Sequence, residues 1–376
     1  MKGSYLLTTD ERAKGMGRAL RVLFLFAFVL PLSLFGQSAK LINDGANIVT
    51  TQGATIYTQG EVRNQVNGGS NGTITNDGTI LTTHSNPNNA PFINQDPDAI
   101  TQGDGTFEIE GDWVNNGVFN GNTGEVILYG PNQLITGDSV STFHDLILTG
   151  TGTKTLDLDA EVTDTLNLND RRLHTDTNSM FVLNTSPNAI LRTPGMNNTV
   201  QGFVSSDTTG WLVREVNQSA DYLFPVGDSS GTPRFRPANL TPSNANPQTM
   251  RVRLKNSDPT PDGYDVSNKA AGIGPVNPDF YWHIDRTSGS DPLSVELFYD
   301  EAVDTADMAV HWETQWEMMG PATNNMVGSP QLSSVSHSGW NDFSPDPFDI
   351  AANAFSVDAG NDTTICVGDT AQLDAN

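Results

Sequence analysis

Between Thr106 and Leu183, apolar residues alternate with polar ones in short runs, each broken by Gly, Asn or Asp at nearly regular intervals. Alternation of period two puts large side chains on one face of an extended segment, so this is a strand pattern repeated many times. Phe107 with Ile109, Val126 with Leu128, Leu146 with Leu148, Leu156 with Leu158 and Leu166 with Leu168 are the successive apolar pairs. Composition points the same way. Only 17% of the 376 residues are charged, and 35 Gly, 21 Pro and abundant Asn and Thr favour turns and strands over helices. The expected fold class is all-β.

Upstream, Ile42, Ile48, Ile56, Val62, Ile74 and Ile80 recur mostly at six to eight residues, and Asn43-Asp44-Gly45 returns as Asn76-Asp77-Gly78, 33 residues later. Asn-Gly and Asp-Gly steps supply the positive φ of tight turns. A β-solenoid-like repeat region over residues 37–195 is therefore expected, each rung burying its apolar face against the next. An Asn/Pro-rich loop at residues 85–98 interrupts it. Past Leu191 the texture changes to aromatic-rich runs at residues 280–284, 295–299 and 310–312 and a closing 342–345. Aromatics alternating with polar residues predict one or two β-sandwich modules over residues 200–356.

Residues 1–36 read as a secretory signal peptide: Arg18 and Arg21 give the positive n-region, residues 22–35 the apolar h-region, and cleavage is expected after Gly36. Asp10 and Glu11 dilute the charge ahead of it, which makes Met16 a candidate start. A 14-residue apolar run is too short to span a bilayer, which takes about 20 residues, so no transmembrane span is expected. Removing the leader takes five basic and two acidic residues with it and leaves 14 basic against 42 acidic, a net charge of −28. Such a surface disfavours nucleic acid as a partner. The one basic cluster, Arg251, Arg253 and Lys255 with Arg234 and Arg236 nearby, alternates with Met250, Val252 and Leu254 and reads as a solvated strand face guarding an edge. Cys366 is the single cysteine, so the region after the leader holds no intramolecular disulfide.

Three islands of sequence resemble large secreted modular surface proteins of Bacteroidetes-type bacteria. The first carries a Gly-x-Trp-x-Asn-x-Gly element (Gly111, Trp113, Asn115, Gly117), a Phe-x-x-Leu element (Phe143, Leu146) and a Gly-x-Gly-x-Lys element (Gly150, Gly152, Lys154). The second, residues 202–242, carries Phe-Pro-Val-Gly at Phe224 to Gly227 and Arg-Pro-Ala at Arg236 to Ala238. The third, residues 357–376, looks like the opening strand of a PKD-like, immunoglobulin-type module, whose Thr-Ile-Cys-x-Gly-Asp cysteine commonly pairs with a second one further on. The resemblance implies export by type IX secretion, with further modules, a partner for Cys366 and a C-terminal sorting signal beyond Asn376.

Chemistry is harder to place. Gly227-Asp228-Ser229-Ser230-Gly231 satisfies G-x-S-x-G, but Pro233 and Pro237 follow where a nucleophile elbow needs a helix, so turn residues explain it. His84, His144, His174, His283, His311 and His337 are scattered singly, without H-E-x-x-H. Carboxylates cluster near turns at Asp96 and Asp98, Asp157 and Asp159, Asp342, Asp346 and Asp349, and Asp358 and Asp362. The last five are candidate calcium ligands, because open Asp-rich loops supply the oxygens calcium takes. Asp157 and Asp159, read as the polar face of a half-buried strand, are the carboxylates a polysaccharide-acting enzyme would use in a solenoid groove. Trp113, Trp211, Trp282, Trp312, Trp316 and Trp340 are candidates for stacking on glycans. The expectation is a non-catalytic, secreted or cell-surface, adhesin-like protein that presents an extended β surface to a glycan or other surface component. Its alternatives are that polysaccharide enzyme and a calcium-dependent glycan-binding module.

Overall fold

Short strands separated by turn residues can satisfy their backbone only by pairing with neighbours, and here they do so by stacking. The structure, a computed structural model, describes residues 39–193, 202–206, 208–320, 323–327 and 332–354. Among these, every regular element is a β-strand except three single-turn 3-10 segments. The leader, Cys366 and the PKD-like opening lie outside the described residues, as do Asp358 and Asp362.

In the first half each strand pairs in parallel with the strand three places later, so the chain winds through three sheets in turn. The first sheet runs Leu41–Asp44, Val62–Gln65, Phe92–Asn94, Trp113–Asn115, Gln133–Thr136, Thr153–Leu156, Arg172–His174 and Phe203–Ser205. A second starts at Asn47–Thr50 and a third at Thr55–Thr58. Register partners lie 19 to 22 residues apart on most circuits, as in Thr153 with Arg172 and Trp113 with Ile135, but 30 apart where Val62 meets Phe92. The long circuit holds residues 85–98, expected as loop. Within them Phe92–Asn94 is a full member of the first sheet, because Phe92 continues the buried column that Val62 begins and Trp113 extends.

Parallel register stacks like on like. Ile56, Ile80, Phe107, Val126, Leu146 and Leu166 form one apolar column on the third sheet. Asn43, Asn64, Asn94 and Asn115 form a buried polar column on the first, each amide nitrogen donating to the next Oδ1 at 2.8, 3.1 and 3.0 Å. The Asn94 amide also donates to the carbonyls of Ala99 and Val118, both at 3.1 Å, at the corner where the chain turns toward the second sheet. The column thus satisfies corner carbonyls that no strand reaches. It stops at Gly137, where a Cβ would lie 2.1 Å from the Asn115 carbonyl oxygen and φ is +133°.

The two Asn-Asp-Gly tripeptides are not equivalent turns. Gly45 has the expected positive φ of +71°, but Gly78 is needed for closeness: a Cβ there would sit 2.3 Å from the Ala54 carbonyl oxygen. Asn43 and Asn76 also belong to different sheets, so the spacing of 33 is not the circuit length.

Asn94→Ala is expected to cost about 3 kcal/mol, since it strands the Asn64 amide and two buried carbonyls at about 1–3 kcal/mol each with partial relaxation. Urea unfolding with amide hydrogen exchange checks this. Protection should fall first at residues 92–101, and an unaltered exchange pattern would show that the column does not hold the corners.

Pairing does not stop at the expected boundary of residues 195–200. Trp211–Val216 pairs in parallel with Ser179–Val182 of the coil on one side and antiparallel with Gln248–Lys255 on the other. The same sheet continues through Tyr281–Ser288, Phe348–Asn353, Met308–Trp312 and Trp316–Met318. A separate antiparallel sheet runs Tyr222–Phe224, Ala238–Pro242, Leu293–Tyr299, Leu332–Trp340 and Thr323–Val327. Leu240, Val295 and Leu297 of that sheet share one apolar core with Met250, Val252 and Leu254 of the first and with the coil interior. Residues from Lys40 onward form a single unit.

Candidate functional site

The basic cluster is not an edge guard. Gln248–Lys255 has a hydrogen-bonded neighbour on each side, so it is an interior strand. Its outward residues have specific partners: Arg251 meets the Asp285 carboxylate at 2.7 Å, and the Arg251 and Arg253 guanidinium carbons lie 4.2 and 4.4 Å from the Trp211 ring centroid. Cations over an indole face are held by its quadrupole. Arg236 is not part of this face at all. It is fully buried and paired with Asp304 at 2.6 Å.

Beside Trp211 the same outer face gathers Tyr281, His283, Tyr264 and Trp312 in successive edge-on contacts of 5.3 to 6.3 Å. This separates the six tryptophans that sequence left together. Trp113, Trp282 and Trp316 are buried, while Trp211, Trp312 and Trp340 are half-buried. His283 is buried at the centre of that face, with Nδ1 3.1 Å from the Pro345 carbonyl oxygen. Burial first, and the Arg253 charge second, push its imidazole down to about 4. Its unfolded value is near 6.5, so between pH 6.5 and 4 the unfolded chain binds more protons and stability falls as pH falls. Across that window the wild-type chain should lose about 3 kcal/mol relative to His283→Gln, which removes the titration. Parallel urea-midpoint curves for the two proteins from pH 7 to 4 would refute this.

Asp157 and Asp159 are not a strand pair. They lie in the bend after Thr153–Leu156, and Asp159 Oδ1 accepts the Ser179 N–H of the next circuit at 2.7 Å. Asp96 does similar work, accepting the Val66 N–H at 2.8 Å. The Gly227–Gly231 pentapeptide begins a small hairpin in which Asp228 Oδ1 accepts the Ser230 N–H at 2.7 Å, and no helix follows it. A cleft of about 280 Å³ between residues 275–279 and 303–305 includes Asp304 and Asp279. Both carboxylates are engaged there, by Arg236 and by Arg234.

Of the calcium candidates, Asp342 and Asp346 lie near each other at one rim, and both act on the His311 imidazole. Asp349 does not join them. Its carboxylate is buried and accepts from the Ile350 N–H at 2.7 Å and the Asn277 amide at 3.4 Å, and burial raises its pKa well above the carboxylate range. Asp342 instead converges with His311 and Glu313, one ligand atom of each lying within 4.8 Å of the others. A second such group, His144, Asp145 and Asp164, forms at a coil corner where successive circuits stack. Sequence reading passed over His311 and Glu313 because each stood alone. Their spacing of two residues at a strand end, which puts both side chains on one side, was the available signal.

Lys154, the last residue of the Gly-x-Gly-x-Lys element, is also inward. Its ammonium is buried, donating to the Gly130 and Pro131 carbonyls at 2.5 and 3.0 Å and to Gln133 Oε1 at 2.7 Å. Burial, with Arg171 adding to it, pushes Lys154 down to about 7. Its role is to close a coil corner, as the asparagine column does elsewhere. Compared with known protein families, curated proteins and solved structures, the chain matches none. Among the described residues, no helix is long and apolar enough to cross a membrane.

Proposed function

We propose that this chain is a non-catalytic structural or adhesin-like protein of the cell exterior, exported through its N-terminal leader. The observation that supports it best is the strand pairing that runs unbroken from the coil into the antiparallel sheets across residues 179–216. One core and one continuous sheet make an extended scaffold in which load on the coil passes into the terminal sheets through hydrogen bonds rather than through a linker. Proteins built of stacked rungs work through surfaces more than pockets. The half-buried Trp211, Tyr264 and Trp312, flanked by Arg251 and Arg253, give that surface an aromatic, partly cationic face suited to sugar rings and acidic glycans. The resemblance to Bacteroidetes surface proteins favours the same reading.

Two measurements test it. Brief protease treatment of intact cells should remove the protein, and N-terminal sequencing of the exported form should begin near Gln37. The purified exported form should also bind a glycan array without shortening any polysaccharide on it. Depolymerisation abolished by Asp157→Asn or Asp159→Asn would replace this reading with the enzymatic one, and retention of the whole protein in the cytoplasm would overturn the exterior assignment.

A further inference from the structure

His311 is fully buried at the rim between the two antiparallel sheets, yet neither ring nitrogen completes a hydrogen bond. An imidazole held this way costs free energy, because a buried polar atom without a partner keeps its full desolvation penalty. Its ring is walled by Phe348 and Trp340, with centroids at 4.6 and 5.3 Å, and the Asp346 main chain lies against it. The open side is covered by two carboxylates. Glu313 follows the end of Met308–Trp312 in a tight return held by its own N–H donating to the Gln315 carbonyl at 3.0 Å. Its carboxylate has no hydrogen bond or ion pair among the described residues. Asp342 follows Leu332–Trp340. Its Oδ1 accepts the Ser344 N–H at 3.1 Å, and the indole of Trp340 donates to its main-chain oxygen.

We propose that His311, Glu313 and Asp342 form a binding site for a divalent metal ion of the zinc class. One imidazole nitrogen and two carboxylate oxygens, gathered within 4.8 Å, are a mixed donor set. Zinc-class ions accept nitrogen and oxygen together at about 2.0–2.2 Å, usually in fourfold coordination, so small closing movements of two exposed carboxylates and one solvent molecule would complete the shell. Calcium takes six to eight oxygens and gains nothing from an imidazole. The ion would also relieve the repulsion between Glu313 and Asp342. The nearest guanidinium, Arg286, is already committed to Asn341 Oδ1 at 3.0 Å and to the Asp291 carbonyl at 2.8 Å. Burial keeps His311 below its ordinary range and so in the neutral form that a metal binds. The effect on the protein is a clip that ties the end of one sheet to the 341–347 loop of the other.

The rival cluster lacks the orphaned group. Asp145 Oδ1 accepts the Thr165 N–H at 2.9 Å, Asp164 Oδ1 accepts the Asn184 amide at 2.8 Å, and His144 Nδ1 lies 3.3 Å from Asp145 Oδ2. Its members are already satisfied by neighbouring circuits.

The test uses the full untagged chain, stripped with chelator and then titrated calorimetrically with ZnCl2, CoCl2 and CaCl2. The expected result is one zinc ion per chain, a higher thermal midpoint reversed by chelator, and visible absorption from the cobalt form. His311→Ala may not fold, so the exposed carboxylates carry the test: Glu313→Gln and Asp342→Asn should each weaken zinc at least tenfold, and Asp164→Asn should leave it unchanged. The proposal is overturned by no saturable zinc binding, by full affinity in the Glu313→Gln/Asp342→Asn double variant, by loss only in Asp164→Asn, or by calcium saturating the site in preference to zinc.

Discussion

Trp113→Ala should cost about 5 kcal/mol, the upper end for an aromatic deleted from a packed interior. Trp113 sits where the aromatic part of the coil is densest. Its ring stacks on Phe92 at 4.8 Å and 14°, meets Phe107 and Phe119 edge-on at 5.7 and 4.8 Å, and tilts against Phe143 at 5.6 Å. The indole N–H donates to Ser141 Oγ at 3.0 Å, tying the first sheet to the strand Ser141–Phe143. Truncation removes the large apolar area, leaves a cavity that a stack locked in register cannot collapse, and strands the serine. Val118→Ala, at a site half exposed to solvent, should change stability by less than about 1 kcal/mol and serves as the control. Urea unfolding followed by tryptophan-independent far-UV dichroism, with hydrogen exchange to locate the loss, is the measurement. A cost below about 2 kcal/mol would show that the circuits are held by their backbone ladders and not by this stack.

Period-two alternation made the all-β class legible, because alternation of large and small or polar residues has no other economical meaning in runs of four. The circuit length was not legible. Strands of three or four residues carry two inward side chains each, and the circuit stretches from 19 to 30 residues wherever a corner takes on extra chain. Residues 85–98 show the cost of reading composition alone: their Asn and Pro content says loop, yet Phe92 and Asn94 occupy the apolar and the asparagine columns. Asparagine itself misled in a useful way. In sequence Asn43-Asp44-Gly45 and Asn76-Asp77-Gly78 are twin turn signals. In the folded chain Asn43 begins a buried ladder, and Gly78 is there because a neighbouring carbonyl leaves no room for a Cβ.

The charged residues were read least well, and for one reason. Sequence assigns a charge to solvent by default, since burial of an ion is costly unless it is paired. Lys154, Arg214 and Arg236 all defy that default through partners far along the chain: Arg214 reaches the Ser186 and Leu223 carbonyls and lies over Tyr222. Asp342 was legible as a candidate ligand from its loop. His311 and Glu313 were not, because the group exists only once the strand end and the 341–347 loop are folded against each other.

Arg236→Met is expected to destabilise the chain by about 4 kcal/mol at pH 7, because the carboxylate it leaves behind is buried. The Arg236 Nε and Nη2 atoms each lie 2.6 Å from Asp304 Oδ2, Nη1 donates to the Phe235 carbonyl at 3.0 Å, and the guanidinium lies 5.2 Å from the Phe280 ring centroid. Asp304 has one other donor, the Asp300 N–H at 2.9 Å, and burial already raises its pKa against the pull of Arg236. Without the guanidinium that pKa must rise further. A carboxyl with a folded pKa above its unfolded value gives stability that is present at low pH and lost as pH rises through the folded pKa. The deficit of the single variant should therefore be smaller at pH 4 than at pH 7. The double variant Arg236→Met/Asp304→Leu removes both charges and should regain most of the loss at pH 7, since an apolar pair of similar volume is often as stable as the ion pair it replaces. Urea midpoints for the three proteins at both pH values decide it. An equal deficit at pH 4 and pH 7, or a double variant no better than the single, would mean that Arg236 supports the sheets through its stem and its contact with Phe280 and not through the charge it shares with Asp304.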